Sequence, residues 1–175
     1  MRHDRTTRET SPGKDTPSRK PLSLRLYPDS VLRQRCEPVD RFDEWLADVF
    51  EEMLALMRNH KGIGLAGPQA GLTKRLFVAE IAGQTLRLAN PVIRAPRGRD
   101  RMDEGCLSLP GVQVEVGRSL QVEIHGYDAG GKKLKHTLRG LWARVVQHEI
   151  DHLDGVLISD YEQQQSGTNS EAREP

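Results

Sequence analysis

The sequence predicts an α+β fold: short antiparallel strands packed around a buried central helix, with a second, amphipathic helix. Three features of the sequence indicate this class. Residues 40–59 carry an amphipathic helical pattern, a buried helical pattern begins near Leu141, and five short strand-like runs lie between them. Because strands and helices do not alternate along the chain, the pattern indicates α+β rather than a doubly wound parallel sheet.

The amphipathic helix is predicted to begin at the N-cap residue Asp40 and to end at about Asn59. Its apolar side chains recur at steps of three and four residues, which is typical of a helix with one buried face. These side chains are Phe42, Trp45, Leu46, Val49, Phe50, Met53, Leu54 and Met57. A stripe of methionines and aromatics can also line a ligand groove, but core packing is the better interpretation.

The strand-like runs are predicted at residues 75–81, 85–88, 112–116, 120–125 and 133–138. The last two are joined through residues 127–131, whose paired glycines are typical of a hairpin loop. The second helix then begins near Leu141, directly after Gly140.

Composition limits the classes of function. Among 175 residues, 26 basic and 25 acidic side chains give a net charge of +1. This balance argues against a protein that depends on phosphate contacts, which requires a concentrated basic surface. No apolar run approaches the ~20 residues of a membrane helix, and residues 2–20 lack the apolar core of a secretory signal. We therefore expect a soluble cytoplasmic protein without membrane or specific nucleic-acid partners.

The chain is expected to consist of one folded domain between two polar ends. Residues 1–21 are predicted to be a disordered extension, residues 22–161 the single domain, and residues 162–175 a polar tail. The extension contains three acidic side chains and no apolar face, which argues against organellar targeting. Cys36 and Cys106 are the two cysteines, so a disulfide scaffold is excluded, although one bridge between them stays open.

The second helix carries an H-E-x-x-H motif, from His148 to His152. At about 100° per residue the two histidines differ by roughly 40° and share a face, so both imidazoles can bind one metal ion. Glu149 lies beside them, where it can accept a proton from a bound water. The helix is apolar over most of its girth, which predicts burial. Burying two imidazoles and a carboxylate is costly without partners, which favours a metal site over two core histidines.

A hydrolytic metal needs a third protein ligand. A metzincin would have a histidine at position 158, but that residue is Ile158. Asp160 and Glu162 lie close downstream, at the edge of the predicted domain. Cys106 is the best candidate, because it lies in a segment bracketed by glycine and proline, residues 104–111. Cys36 has no motif around it and is expected to be buried or inert. The other histidines also lack partners and are expected to be surface or strand residues: His3, His60, His125 and His136.

Residues 62–67 match the dinucleotide-binding pattern G-x-G-x-x-G, but the context is wrong for that fold. A helix precedes the pattern instead of a strand, Pro68 follows it, and no acidic residue lies about twenty positions on. What remains is a loop, residues 62–71, whose backbone can approach a ligand closely. Gln69 is its one strongly polar side chain.

Three segments together resemble the signature motifs of peptide deformylases, in the order of that family. They are GIGLAGPQAG at 62–71, EGCLSLPG at 104–111 and QHEIDHLDG at 147–155. The resemblance covers about residues 22–161. The family more usually has alanine where this chain has Gly67, and the missing methyl group is expected to loosen the loop slightly.

This resemblance implies an enzyme that removes the N-formyl group from the formylmethionine of newly made polypeptides and releases formate. It implies that Cys106, His148 and His152 hold a divalent metal, most commonly Fe²⁺, for which Zn²⁺, Ni²⁺ or Co²⁺ can substitute. Glu149 would move the water proton to the leaving amine. The Gln69 side chain and the Leu107 N–H would donate to the oxyanion.

The resemblance also suggests a binding site for the N-formylmethionyl peptide. Gly64 would present backbone groups to the substrate main chain. The expected methionine pocket consists of Ile63, Met102, Leu141 and Val145. Arg144 is expected to be solvated or ion-paired instead of lining that pocket.

Two other functions stay open at this point. A zincin-type endopeptidase would share the helix but have no use for the Cys106 and Gln69 motifs. A non-catalytic metal-binding module would have no reason to keep Glu149. Transient ribosome contact is a further expectation for an enzyme of nascent chains. Residues 162–175 carry one basic and three acidic side chains, which argues against docking through a basic C-terminal helix.

Overall fold

A computed structural model of the chain describes residues 21–162. It contains a five-stranded antiparallel sheet with one helix on each face, and a separate two-stranded arm. The two long helices are α1 (Glu44–Asn59) and α2 (Leu141–Leu153), and a short helical segment at 158–162 follows α2. The strands are β1 (Gly64–Ala66), β2 (Leu76–Ile81), β3 (Gln84–Arg97), β4 (Asp100–Cys106), β5 (Leu109–Arg118), β6 (Gln121–Tyr127) and β7 (Lys133–Arg139). The predicted α+β class, with strands around a buried helix, is confirmed.

The order of strands in the sheet is β1-β2-β3-β6-β7, while β4 and β5 pair only with each other to form the arm. Alternate side chains of β2 enter two different cores. Phe77 and Ala79 pack with α2, whereas Leu76 and Val78 pack with α1. Helix α2 also contacts the arm, so it lies between the sheet and β4–β5.

Helix α1 starts later than predicted. Its N-cap is Asp43, whose carboxylate accepts a hydrogen bond from the Trp45 N–H at 3.0 Å. Asp40 was the predicted cap, but it lies outside the helix with its carboxylate 3.9 Å from the Lys74 ammonium. Either aspartate satisfies a capping pattern, and the backbone conformation at Asp43 decides between them.

Strands β2, β6 and β7 confirm the predicted runs to within a few residues. Strand β3 is much longer than predicted, because bulges and arginines hide its alternation of polar and apolar residues. Strands β1 and β4 were not predicted. The segments 62–71 and 104–111 were interpreted as loops, but they hold β1, a 3₁₀ turn (Gly67–Ala70) and the β4–β5 hairpin. Strand β4 has few apolar residues, and its pairing with β5 defines it as a strand.

Gly67 does not loosen its loop as expected. A Cβ at this position would lie 2.5 Å from the Lys74 carbonyl oxygen and 3.1 Å from that of Leu72. The Leu72 N–H donates to the Gly67 carbonyl at 2.8 Å. The missing side chain therefore allows the loop to close tightly on itself.

The predictions for the chain ends fall almost wholly on residues 1–20 and 163–175, which lie outside the described part. Cys36 and Cys106 are both free thiols, and Cys36 is buried in the core beside α2. Burial raises the pKa of Cys36 to about 11, as expected for an inert thiol. Among residues 21–162, no helix is long and apolar enough to cross a membrane.

Candidate metal and catalytic site

Cys106, His148 and His152 come together where the end of β4 meets α2. The Cys106 Sγ is 3.3 Å from the His152 Nε2, which is 3.1 Å from the His148 Nε2. All three ligand atoms lie within 4.8 Å of one another. The histidines share one helix face, as their spacing predicts. Asp160, one alternative third ligand, instead pairs with Arg33 at 2.6 Å.

The chemistry of these three residues fits a transition-metal ion. A thiolate and two imidazoles are donors that divalent transition metals prefer, and three ligands leave a position open for reaction. His152 is only 1% exposed, and its Nδ1 has no hydrogen-bond partner among the described residues. Burial and the neighbouring His148 lower the pKa of His152 well below its usual value, which favours the neutral, metal-binding form.

Glu104 orients His148. Its carboxylate lies 3.0 Å from the His148 Nδ1, so the Nε2 of that ring faces Cys106 and His152. A carboxylate on the far nitrogen fixes the tautomer of a metal-binding imidazole. Burial opposes ionisation, but hydrogen bonds from His148 and Arg118 lower the pKa of Glu104 to about 2. Burial also opposes protonation of His148, while contacts with Cys106 and Glu104 raise its pKa to about 10, so a metal ion at this ring must displace a proton.

Two arginines hold Glu104 in place. Arg118 donates from Nε and Nη2 at 3.0 and 2.9 Å, and Arg144 donates from Nη1 at 2.8 Å. Arg118 also pairs with Asp151, which accepts from the Tyr161 hydroxyl at 2.8 Å. Of the two roles expected for Arg144, the structure shows the ion-paired one, with the residue 7% exposed and not solvated. The polar side of α2 therefore faces the arm. Contrary to the expectation, Arg144 also lines the cavity at this site.

Glu149 is buried at the same place, with 3% exposure. Its carboxylate occupies the space in front of Gly64, where a Cβ would lie 2.1 Å from the Glu149 Oε1. The Oε2 has no hydrogen-bond partner among the described residues. Burial raises the pKa of Glu149 to about 7, so a proton can both join and leave this group near neutral pH.

Gln69 is held so that its amide N–H groups point toward the ligands. Its Oε1 accepts from the Ala66 N–H at 2.8 Å, which leaves the Nε2 to contact the Cys106 Sγ at 3.5 Å and the Ser108 Oγ at 3.2 Å. Gln69 is 1% exposed, although the sequence placed it in a loop. Leu107 follows Cys106 in the two-residue connection between β4 and β5.

A cavity of about 740 Å³ opens onto this site. It is lined by every residue of the predicted set except His152: Ile63, Gly64, Gln69, Met102, Cys106, Leu107, Leu141, Val145, His148 and Glu149. Ile63, Met102 and Leu141 are about half exposed at 45%, 50% and 48%, whereas Val145 is buried. Three apolar side chains therefore surround the opening, and the polar groups lie deeper.

The sequence alone did not reveal the roles of Glu104, Arg118 and Ser108. Glu104 was visible as part of the cysteine motif, but its partners are 14, 40 and 44 positions away in the chain. Arg118 carried no motif at all. Only the pairing of the arm with α2 brings these groups together.

The chain is similar to known proteins over most of its length. Residues 21–167 match the family model described as Polypeptide deformylase. A peptide deformylase of Rhodopirellula baltica is 41% identical over 145 residues, which cover 80% of this chain and 72% of the relative. One from Thermotoga neapolitana is 41% identical over 138 residues, covering 78% and 84%.

Solved structures agree with the sequence matches. The crystal structure of peptide deformylase from Thermotoga maritima aligns with a TM-score of 0.78 at 38% identity, covering 81% of this chain and 97% of that chain. The structure from Synechococcus elongatus, in complex with actinonin, aligns with a TM-score of 0.76 at 41% identity, covering 81% and 80%. Sequence and fold are thus similar to the same group of proteins.

Proposed function

The chain belongs to the peptide deformylase family, and from this premise we propose which residues carry out the removal of the formyl group. The reaction itself, hydrolysis of the formyl amide of N-formylmethionyl polypeptides, is that of the family; the endopeptidase and binding-module alternatives do not fit. The observation that carries the assignment of residues is the meeting of a thiol and two imidazoles beside Glu149, with all of these residues except His152 lining one cavity.

Cys106, His148 and His152 are the proposed metal ligands, and Fe²⁺ is the proposed ion. Zn²⁺, Ni²⁺ and Co²⁺ suit the same three donors. When bound, such an ion lowers the pKa of a water molecule and polarises the formyl carbonyl. Glu104 acts as a positioning residue, because it holds the His148 Nδ1 and leaves the Nε2 for the ion.

Glu149 is the proposed proton carrier. Its buried carboxylate takes the proton of the attacking water and passes it to the leaving amine. The Gln69 Nε2 and the Leu107 N–H are the proposed donors to the oxyanion. The Ala66 N–H fixes the other end of the Gln69 amide, so that donor is oriented before the substrate arrives.

The proposed substrate lies in the cavity with its methionine side chain against Ile63, Met102, Leu141 and Val145. Gly64 lacks a side chain, which leaves its backbone accessible to the substrate main chain. Because formylated nascent chains are made in the bacterial cytoplasm, this is the proposed location of the enzyme.

One assay separates the proposed reaction from proteolysis. The purified chain, loaded with Fe²⁺ under reducing conditions, is offered a formyl-Met peptide and casein. Formate release without casein cleavage is expected, together with binding of actinonin, the compound in the Synechococcus elongatus structure. The Glu149→Gln variant is expected to bind metal normally but to release formate roughly two to four orders of magnitude more slowly. Casein cleavage, or a fast Glu149→Gln variant, would refute the assignment.

A further inference from the structure

The outer surface of the sheet is open beyond α1. Helix α1 packs against β1, β2 and the start of β3. Beyond it, Val122 and Ile124 of β6 point inward to the α2 core, so the alternate residues of β6 point outward. The outward side chains of β6, β7 and residues 92–97 of β3 form a surface that we call the basic face.

Five cations lie on the basic face: Arg94, Arg97, Lys133, Lys135 and Arg139. The strand register places Arg97, Gln121 and Arg139 in one row across the three strands, with Arg94 and Glu123 in the next. Glu123 is the one carboxylate on the face among the described residues, and it pairs with Lys135 at 2.7 Å. No described carboxylate lies within 4.0 Å of the other four cations.

A β-bulge places both arginines of β3 on this face. Residues three apart on a regular strand point to opposite faces. The register shifts between Arg94 and Arg97, which pair with Glu123 and Gln121, two residues apart on β6. Ala95, with φ of 45°, lies in this shift. The bulge therefore turns Arg97 to the side of Arg94.

The overall charge conceals this surface. A net charge of +1 predicted no concentrated basic surface, but the folded chain places its acidic and basic side chains on different elements. Helix α1 carries four acidic side chains, Glu44, Asp48, Glu51 and Glu52, whereas the basic face carries five cations. A surface with unpaired cations in successive rows is complementary to a chain of phosphates.

We propose that the basic face binds the phosphate backbone of single-stranded RNA without sequence preference. His125 also lies on this face, opposite Lys135 in the strand register, and adds an aromatic ring that is 43% exposed. The face is opposite to α2, and the catalytic cavity lies on the far side of that helix. Bound RNA thus leaves the cavity open. The choice of RNA rests on the proposed function, because nascent formylated chains emerge from an RNA-rich particle.

The test measures binding of a labelled oligouridylate to the full chain at increasing KCl. If four cations contact phosphates, the slope of log K against log[salt] is about −3 for a single strand. Affinity then falls about 50-fold between about 50 and about 200 mM salt. The double variant R94E/R97E is expected to reduce the magnitude of the slope by about 1.4.

The matched control reverses two exposed arginines away from the face, Arg35 and Arg101 of the arm, whose side chains are 84% and 56% exposed. R35E/R101E changes the net charge equally, and we expect it to keep most of the RNA affinity. Salt-independent binding, equal losses in the two double variants, or tighter binding to phosphatidylglycerol vesicles than to RNA would overturn the proposal. Formate release by the wild-type chain is measured in parallel. Its absence would count against the proposed function, whereas a loss of RNA binding with normal formate release would not.

Discussion

Gly64→Ala tests whether Glu149 works from the position that the structure gives it. A Cβ on residue 64 would lie 2.1 Å from the Glu149 Oε1 and 2.8 Å from its Cδ. Ordinary contacts between carbon and oxygen are about 3.3 Å or longer, so the carboxylate must move by about 1 Å. The backbone of Gly64 does not have a positive φ, so alanine adds no strain of its own there.

A displacement of this size costs about 100-fold in rate when it affects a catalytic group, or about 2.7 kcal/mol. We therefore expect kcat/KM for formate release to fall about 100-fold in Gly64→Ala, with metal content and melting temperature close to wild type. Gly130→Ala is the matched control, because a Cβ there would meet its nearest atom at an ordinary 3.5 Å.

A double-mutant cycle with Glu149→Ala shows whether the effect passes through the carboxylate. In the Glu149→Ala background the carboxylate is gone and only the Val145 Cγ1, 3.0 Å from the new Cβ, must shift slightly, so adding Gly64→Ala is expected to cost only a few-fold more. Full additivity of the two losses would refute the proposed contact. A Gly64→Ala enzyme of normal rate would refute the placement of Glu149.

Three further predictions follow from other contacts. Cys106→Ser is expected to lose most of its metal on dialysis against a chelator, whereas Cys36→Ser keeps a full equivalent; metal analysis decides. Gly67→Ala is expected to lower the free energy of unfolding by about 1–3 kcal/mol, measured in urea, because the new methyl group meets a carbonyl 2.5 Å away. Hydrogen bonding to Arg33 lowers the pKa of Asp160 from its usual 3.8, so the pair stabilises the fold above that pH. The difference in melting temperature between wild type and Asp160→Asn should therefore be present near pH 7 and close as the pH falls below 3.8.

The sequence predicted those parts of the site that depend on local geometry. The spacing of His148 and His152 places both on one face of any helix, whatever surrounds it. Glycine and proline around Cys106 correctly indicated a sharply turning segment. The three-dimensional arrangement of Cys106 with the histidines, however, depends on how the arm pairs, which single residues do not encode.

Other parts depended on long-range pairing and were missed. Strand β4 carries Asp, Arg and Glu where an isolated strand would need apolar residues, and β5 supplies its partner. The sequence left open whether Arg144 is solvated or ion-paired, and only its pairing with a carboxylate from β4 decides for the ion pair. The basic face depends on the bulge in β3. Because a bulge interrupts the alternation of side chains along a strand, the sequence alone does not show that Arg94 and Arg97 share a face.

The ion pairs around Glu104 also restrict which amino-acid substitutions the protein tolerates at these positions. One carboxylate serves two arginines and a histidine, all largely buried. Loss of Glu104 alone would leave Arg118 with Asp151 as its counter-charge and buried Arg144 with only Asp100, 4.0 Å away, which is more destabilising than exchanging the whole group for apolar residues. Substitution of any one position is therefore tolerated only with substitution of the others. Over evolutionary time, the three charged positions are expected to be inherited, or lost, as a set.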